Sequence, residues 1–131
     1  MNARRILIVD DEPQFTRMVG QHLEQAGGFE VREENHSANA LSVARQFNPD
    51  LVLLDVLMPG MDGGELAERM RADATLAHTP IVFLTATITP EEARERGRDS
   101  GFLFLSKPVQ FAELVECINQ HARRAQPGAS R

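Results

Sequence analysis

Apolar positions along this chain group in two ways. Ile6–Val9, Leu51–Leu54, Ile81–Leu84 and Phe102–Leu105 are unbroken runs of four residues. Short continuous runs bounded by polar, Gly and Pro residues predict strands covered on both faces of a parallel sheet. Phe29 to Glu33 alternates only in part and predicts a fifth, shorter strand. The segments between the runs repeat at helical spacing. Pro13 suits a first turn, Phe15, Met18, Val19, His22, Leu23 and Ala26 follow on one stripe, and Gly27-Gly28 stops the helix. Ser37 is expected to cap a second helix with Ala40, Leu41, Val43, Ala44 and Phe47 inside, ended at Asn48-Pro49-Asp50. Gly63-Gly64 opens a third, with Leu66, Ala67 and Met70 apolar, and Thr79-Pro80 breaks the chain. Thr89-Pro90-Glu91-Glu92 predicts the start of a charged, short fourth helix that Gly97 weakens. A last helix places Phe111, Leu114, Val115 and Ile118 on one face.

Five strands alternating with five helices define an α/β protein with a parallel sheet covered on both sides. The expected architecture is a doubly wound five-stranded parallel sheet of order 2-1-3-4-5, the flavodoxin-like (βα)5 arrangement. Its crevice opens between strands 1 and 3, at the carboxyl ends of the strands.

Composition narrows the function classes. A chain of 131 residues predicts one domain, over residues 1–124, with 125–131 read as a flexible tail or the start of a linker. A net charge of -5 without a long basic run argues against nucleic-acid binding by this domain. The single Cys117 excludes an internal disulfide and a Cys-based metal site and suits a cytoplasmic location. The apolar run near the N-terminus is too short for a signal peptide or a membrane span. His22, His36, His78 and His121 are not closely paired and read as surface or stripe residues.

The chemistry sits where the apolar runs end. Strand 1 runs into Asp10-Asp11, strand 3 into Asp55, strand 4 into Thr85 and strand 5 into Lys107. In a parallel sheet these ends share one edge. Two carboxylates at roughly 4 Å repel by about 4 kcal/mol near a protein surface, so the edge needs positive charge. Lys107 supplies part. A hard divalent cation with oxygen ligands supplies the rest, and Mg2+ fits because it is held by few carboxylates and keeps waters for a phosphate. A carboxylate nucleophile beside Mg2+, a lysine and a hydroxyl makes a phosphoryl-acceptor site. On this reading Asp55 attacks, Asp10 and Asp11 hold the metal, Lys107 pairs with a phosphoryl oxygen and Thr85 donates to another.

Ile6-Leu-Ile-Val-Asp-Asp-Glu-Pro13, Asp55-Val-Leu-Met-Pro-Gly-Met-Asp-Gly63, Leu84-Thr-Ala86 and Lys107-Pro108 together resemble the receiver domains of two-component response regulators, over about residues 4 to 122. That family also exemplifies the 2-1-3-4-5 order, so the resemblance and the topology are not independent. The resemblance implies that Asp55 accepts a phosphoryl group from a sensor histidine kinase or a phosphotransfer protein. It implies that the backbone carbonyl of Leu57 completes the metal site and that Lys107-Pro108 is a cis peptide. It further implies a switch in which Thr85 moves toward the phosphoryl group and Phe104 turns inward. One hydrogen bond to a charged group, worth roughly 1.5–3 kcal/mol, shifts such an equilibrium about ten- to a hundredfold. The face made by the fourth helix, strand 5 and the last helix would contact a downstream effector or output domain; a homodimer is left open.

Three features depart from the plainest family pattern. Ser100-Gly101 stands where the family usually has Gly-Ala. Phe104 has no phenol to hold an outward state, so it is expected to favour the inward one. Leu57 is apolar and is expected to screen an acyl phosphate from water. Leu57 also weighs against the alternative of an aspartyl-nucleophile phosphatase, which carries a second Asp at that position. The domain would catalyse at most its own phosphorylation and dephosphorylation. A phosphate-independent receiver scaffold is a further alternative, which the full acid set disfavours. No Gly-x-Gly-x-x-Gly or Walker-type loop follows strand 1, against a nucleotide- or flavin-binding module.

Overall fold

The structure, a computed structural model, describes residues 3–56, 63–86, 91 and 102–122. Strands β1 (Arg4–Val9), β2 (Phe29–Glu34), β3 (Leu51–Asp55), β4 (Ile81–Thr85) and β5 (Leu103–Ser106) form one parallel sheet of order β2-β1-β3-β4-β5. Helices α1 (Pro13–Ala26), α2 (Ser37–Phe47), α3 (Gly63–Ala72) and a C-terminal helix (Phe111–His121) cover it. The expected fold class and strand order are those observed. The charged helix expected from Thr89 lies, apart from Glu91, outside the described residues, as does the expected tail.

Successive strand residues point to opposite faces, which splits the core in two. Leu7, Val9, Val52, Leu54 and Phe83 pack with Ala40, Ala44, Phe47, Leu66 and Met70 of α2 and α3. Ile6, Ile8, Leu51, Leu53, Val82 and Leu84 pack with Val19 and Leu23 of α1 and with Leu114 and Ile118 of the C-terminal helix. Two of the three interior strands, β3 and β4, are buried at every residue.

Local expectations were corrected in four places. Ser37 is the first residue of α2 rather than its cap; His36 holds the N-cap position and Ser37 is buried. The buried stripe of α1 is Thr16, Val19, Gly20 and Leu23, whereas Met18 is 46% exposed. Phe111 is likewise exposed, with its ring 5.2 Å from that of His22. Finally, β5 is half-buried along its length, because it is the sheet's edge strand and has only one strand neighbour.

Candidate functional site: an acidic rim with a lysine

The strand register carries the reactive residues to one level. Val9 lies opposite Leu54, so Asp10 and Asp55 each follow one step further along adjacent strands. Asp55 lies opposite Leu84, and Thr85 opposite Ser106, so Lys107 follows just past the end of β5. Backbone bonds extend the ladder past the strands: Val56 N donates to Leu84 O at 3.1 Å and Lys107 N to Thr85 O at 2.8 Å. Alternation then sorts the side chains. Asp10, Asp55 and Lys107 share the parity of the α1 face, while Thr85 and Phe104 share the parity of Phe83 on the α2–α3 face.

Asp10 is fully buried and both of its carboxylate oxygens are used. Oδ1 accepts from the backbone N–H of Glu12 at 3.0 Å, and Oδ2 accepts from the Lys107 ammonium at 2.7 Å. The same ammonium is 3.8 Å from Glu12 Oε1 and 4.0 Å from Asp55 Oδ1. Asp55 is 7% exposed and Thr85 3%. Carboxylate oxygens of Asp10, Asp11 and Asp55 all lie within 4.8 Å of one another. Two charges at that separation repel by about 3 kcal/mol at an effective dielectric constant of ~20. Lys107 is the only lysine of the chain, and its side chain is 15% exposed. Among the described residues, one ammonium against three converging carboxylates leaves an excess of negative charge. An all-oxygen donor set of this kind suits Mg2+, which the chemistry of the residues therefore fits.

The surroundings hold this rim in shape. Asn35 donates from Nδ2 to the Asp10 carbonyl oxygen at 2.9 Å and to Thr16 Oγ1 at 3.0 Å. Thr16 Oγ1 donates to Glu33 Oε1 at 2.9 Å, tying the end of β2 to the first turn of α1. On the other side, Gly63 N donates to Val56 O at 2.8 Å, and a Cβ at Gly63 would collide with the Asp55 carbonyl oxygen. The start of α3 can approach the end of β3 only because residue 63 lacks a side chain. Lys107-Pro108 is a cis peptide.

Asp10, Asp11, Asp55 and Lys107 are thus brought together, with Thr85 at the same edge. Phe104 lies apart from them on β5, half-buried and stacked on Phe83 with ring centroids 5.1 Å apart. Leu57, named for its backbone carbonyl, lies outside the described residues. Sequence reasoning missed Glu12, whose place as the third consecutive acid after β1 was a usable signal. It also read Phe15 only as a helix-stripe residue, whereas its ring lies 4.4 Å from the Lys107 ammonium.

Comparisons agree with this geometry. The family described as the response regulator receiver domain matches residues 6–119. The phosphate regulon transcriptional regulatory protein PhoB of Pseudomonas aeruginosa is 37% identical over 131 residues, covering 99% of this chain and 56% of its own length. The response regulator PleD of Caulobacter vibrioides is 39% identical over 122 residues, covering 92% of this chain and 26% of its own. Among solved structures, the chemotaxis protein CheY4 of Vibrio cholerae superposes with a TM-score of 0.79 at 30% identity, covering 91% of this chain and 98% of that one.

The chain belongs to the receiver-domain family of two-component response regulators, and its role is that of a phosphoacceptor signalling domain. It spans about half the length of the first curated relatives it matches, 56% of the Pseudomonas PhoB and 55% of the Escherichia coli one. Receiver domains work with histidine kinases or phosphotransfer proteins and with output domains, and they are generally Mg2+-dependent. Among the described residues, no helix is long and apolar enough to cross a membrane.

Proposed function

We propose that Asp55 is the phosphoacceptor, that Asp10, Asp11 and Asp55 with the Leu57 backbone carbonyl hold Mg2+, and that Thr85, Lys107 and Phe104 read the phosphorylated state. The observation that carries this reading is the meeting of three carboxylates within 4.8 Å beside a half-buried ammonium 4.0 Å from Asp55. An Asp55 carboxylate oxygen attacks the phosphorus of a phosphohistidine. The new P–O bond forms as the donor's P–N bond breaks, and the imidazole leaves. Bound Mg2+ would supply neutralisation of phosphoryl oxygen charge. Lys107 sits where its ammonium can pass from Asp10 to an incoming phosphoryl oxygen, because an anion there offsets the cost of loosening the Asp10 pair.

Thr85 lies on the opposite parity from Asp55, one step along the edge. A hydroxyl drawn toward a phosphoryl group vacates space on the Phe83–Phe104 side, which is how phosphorylation would reach the edge strand β5. That strand and the C-terminal helix, with the helix expected from Thr89, form the surface proposed to meet an effector, an output domain or a second copy. The proposed setting is the cytoplasm, where a histidine kinase presents its phosphoryl group.

The test is to treat wild type and Asp55→Asn with acetyl phosphate in the presence of Mg2+. Wild type gains the mass of one phosphoryl group and Asp55→Asn gains none. A mass gain that persists in Asp55→Asn places the acceptor elsewhere.

A further inference from the structure

We propose that Phe15 is a positioning residue for the reaction: its ring face holds the Lys107 ammonium at the acidic rim. This rests on the reading of Asp55 and Lys107 given above and adds to it a residue with no polar atom. Lys107 reaches the rim on a flexible four-carbon stem, so something must limit where its ammonium goes. Carboxylates alone do this poorly, because three of them compete. Asp10 takes the ammonium at 2.7 Å, while Glu12 and Asp55 lie at 3.8 and 4.0 Å. The ring of Phe15 is the fourth neighbour, with the ammonium over it at 4.4 Å from the centroid.

Position and burial both favour a strong contact. Phe15 lies in the first turn of α1, five residues after Asp10, so the helix that follows the acids carries the ring. Phe15 and Lys107 line the same cleft of about 370 Å³, with Met18, Ala86, Pro108 and Val109. The Lys107 side chain is only 15% exposed, so its ammonium meets the ring with much of its water removed. Cation–π attraction grows when the cation is desolvated. An aliphatic side chain of similar size would cover the lysine as well, but its surface carries no quadrupole to attract it.

The expected consequence is a rate effect seen even with a small phosphodonor, where no protein partner docks. Removing the attraction lets the ammonium spend more time away from Asp10 and Asp55 and slows phosphorylation between about twofold and thirtyfold. Phe15→Tyr and Phe15→Trp retain the rate, and Phe15→Leu loses it.

The decisive series replaces Phe15 by mono-, di- and trifluorophenylalanine, which keep the ring's shape while weakening its negative face. The logarithm of the rate with acetyl phosphate should fall steadily with fluorination at unchanged melting temperature. A second arm needs neither metal nor phosphate. Lysine labelled with carbon-13 at the ε-methylene gives one signal, since Lys107 is the only lysine. Its protons should be shifted upfield by the ring current in wild type and return to the free-lysine position in Phe15→Leu. A flat rate across the fluorinated series, or a wild-type signal at the free-lysine position, overturns the inference. Phosphorylation surviving in Asp55→Asn instead removes the acceptor reading, and the lysine signal still decides the Phe15 contact.

Discussion

Two carboxylate sites in this protein show what distinguishes a structural acid from one set up for chemistry. Asp73, just past α3, is surrounded by donors. Its Oδ1 accepts from the Thr75 backbone N–H at 2.9 Å and from the Thr75 hydroxyl at 2.6 Å, and its Oδ2 accepts from Arg45 Nε. The Thr75 hydroxyl first, then Arg45, pull its pKa from 3.8 down to about 2. At the rim the proportions reverse. Asp10, Asp11 and Asp55 crowd within 4.8 Å, with Glu12 beside them, around the single Lys107 ammonium. Donors outnumber the charge at Asp73 and tie down a loop. At the rim, among the described residues, three carboxylates converge beside one ammonium, an arrangement that suits a cation and an anion entering together. Cys117 marks a third case, a half-buried titratable group: desolvation, with Glu113 adding to it, raises its thiol from 9.0 to about 11.

The comparison can be broken most sharply at Lys107. Lys107→Met leaves Asp10 buried without its cation, and breaking such a pair costs about 3 kcal/mol or more. Urea denaturation in divalent-free buffer should show that loss, and added Mg2+ should restore part of it. An unchanged midpoint would mean that the rim is not short of positive charge.

Single-acid neutralisations should act with opposite signs at the two sites. Asp11→Asn relieves repulsion at the rim and should stabilise the metal-free protein by about 1 kcal/mol while weakening Mg2+ binding. Asp73→Asn loses accepted hydrogen bonds and should lower the melting temperature at neutral pH. Two changes of the same sign would erase the distinction.

The Asp73 effect has a defined pH window. Its folded pKa lies below the unfolded value, so its contribution is complete above 3.8 and is lost as pH falls through about 2. The difference in denaturation midpoint between wild type and Asp73→Asn should therefore shrink across that interval. The smallest effect is at Cys117. Its pKa is raised, so the contribution of its neutral thiol is complete below 9.0 and is lost as pH rises through about 11. Alkylation at pH 9 should be slower in the native than in the unfolded protein by roughly fiftyfold, following the thiolate fractions.

Much of the rim was readable before any coordinates because its logic is repetitive. Each of β1, β3 and β4 is an apolar run that ends in a polar residue with no place in a core, and parallel strands present those ends together. Helix faces were read less well. The spacing of Phe15, Met18 and His22 marks a stripe, but the sheet covers only the part that carries Thr16, Val19, Gly20 and Leu23. The half-burial of β5 was likewise unreadable, because an edge strand and a central one have the same apolar pattern.

From its order of residues alone the chain determined the five strands, their parallel arrangement and the identity of Asp10, Asp11, Asp55, Thr85 and Lys107 as the groups at one edge. Those follow from short unbroken apolar runs, from the helical period of 3.6 and from turn residues, which act over a few positions. Only the tertiary structure decided that Lys107 pairs first with Asp10, that Phe15 lies over its ammonium, and that Thr85 and Phe104 fall on the opposite parity from Asp55. Residues 10, 15 and 107 meet through strand order and register, and no local pattern encodes a contact between segments so far apart in the chain.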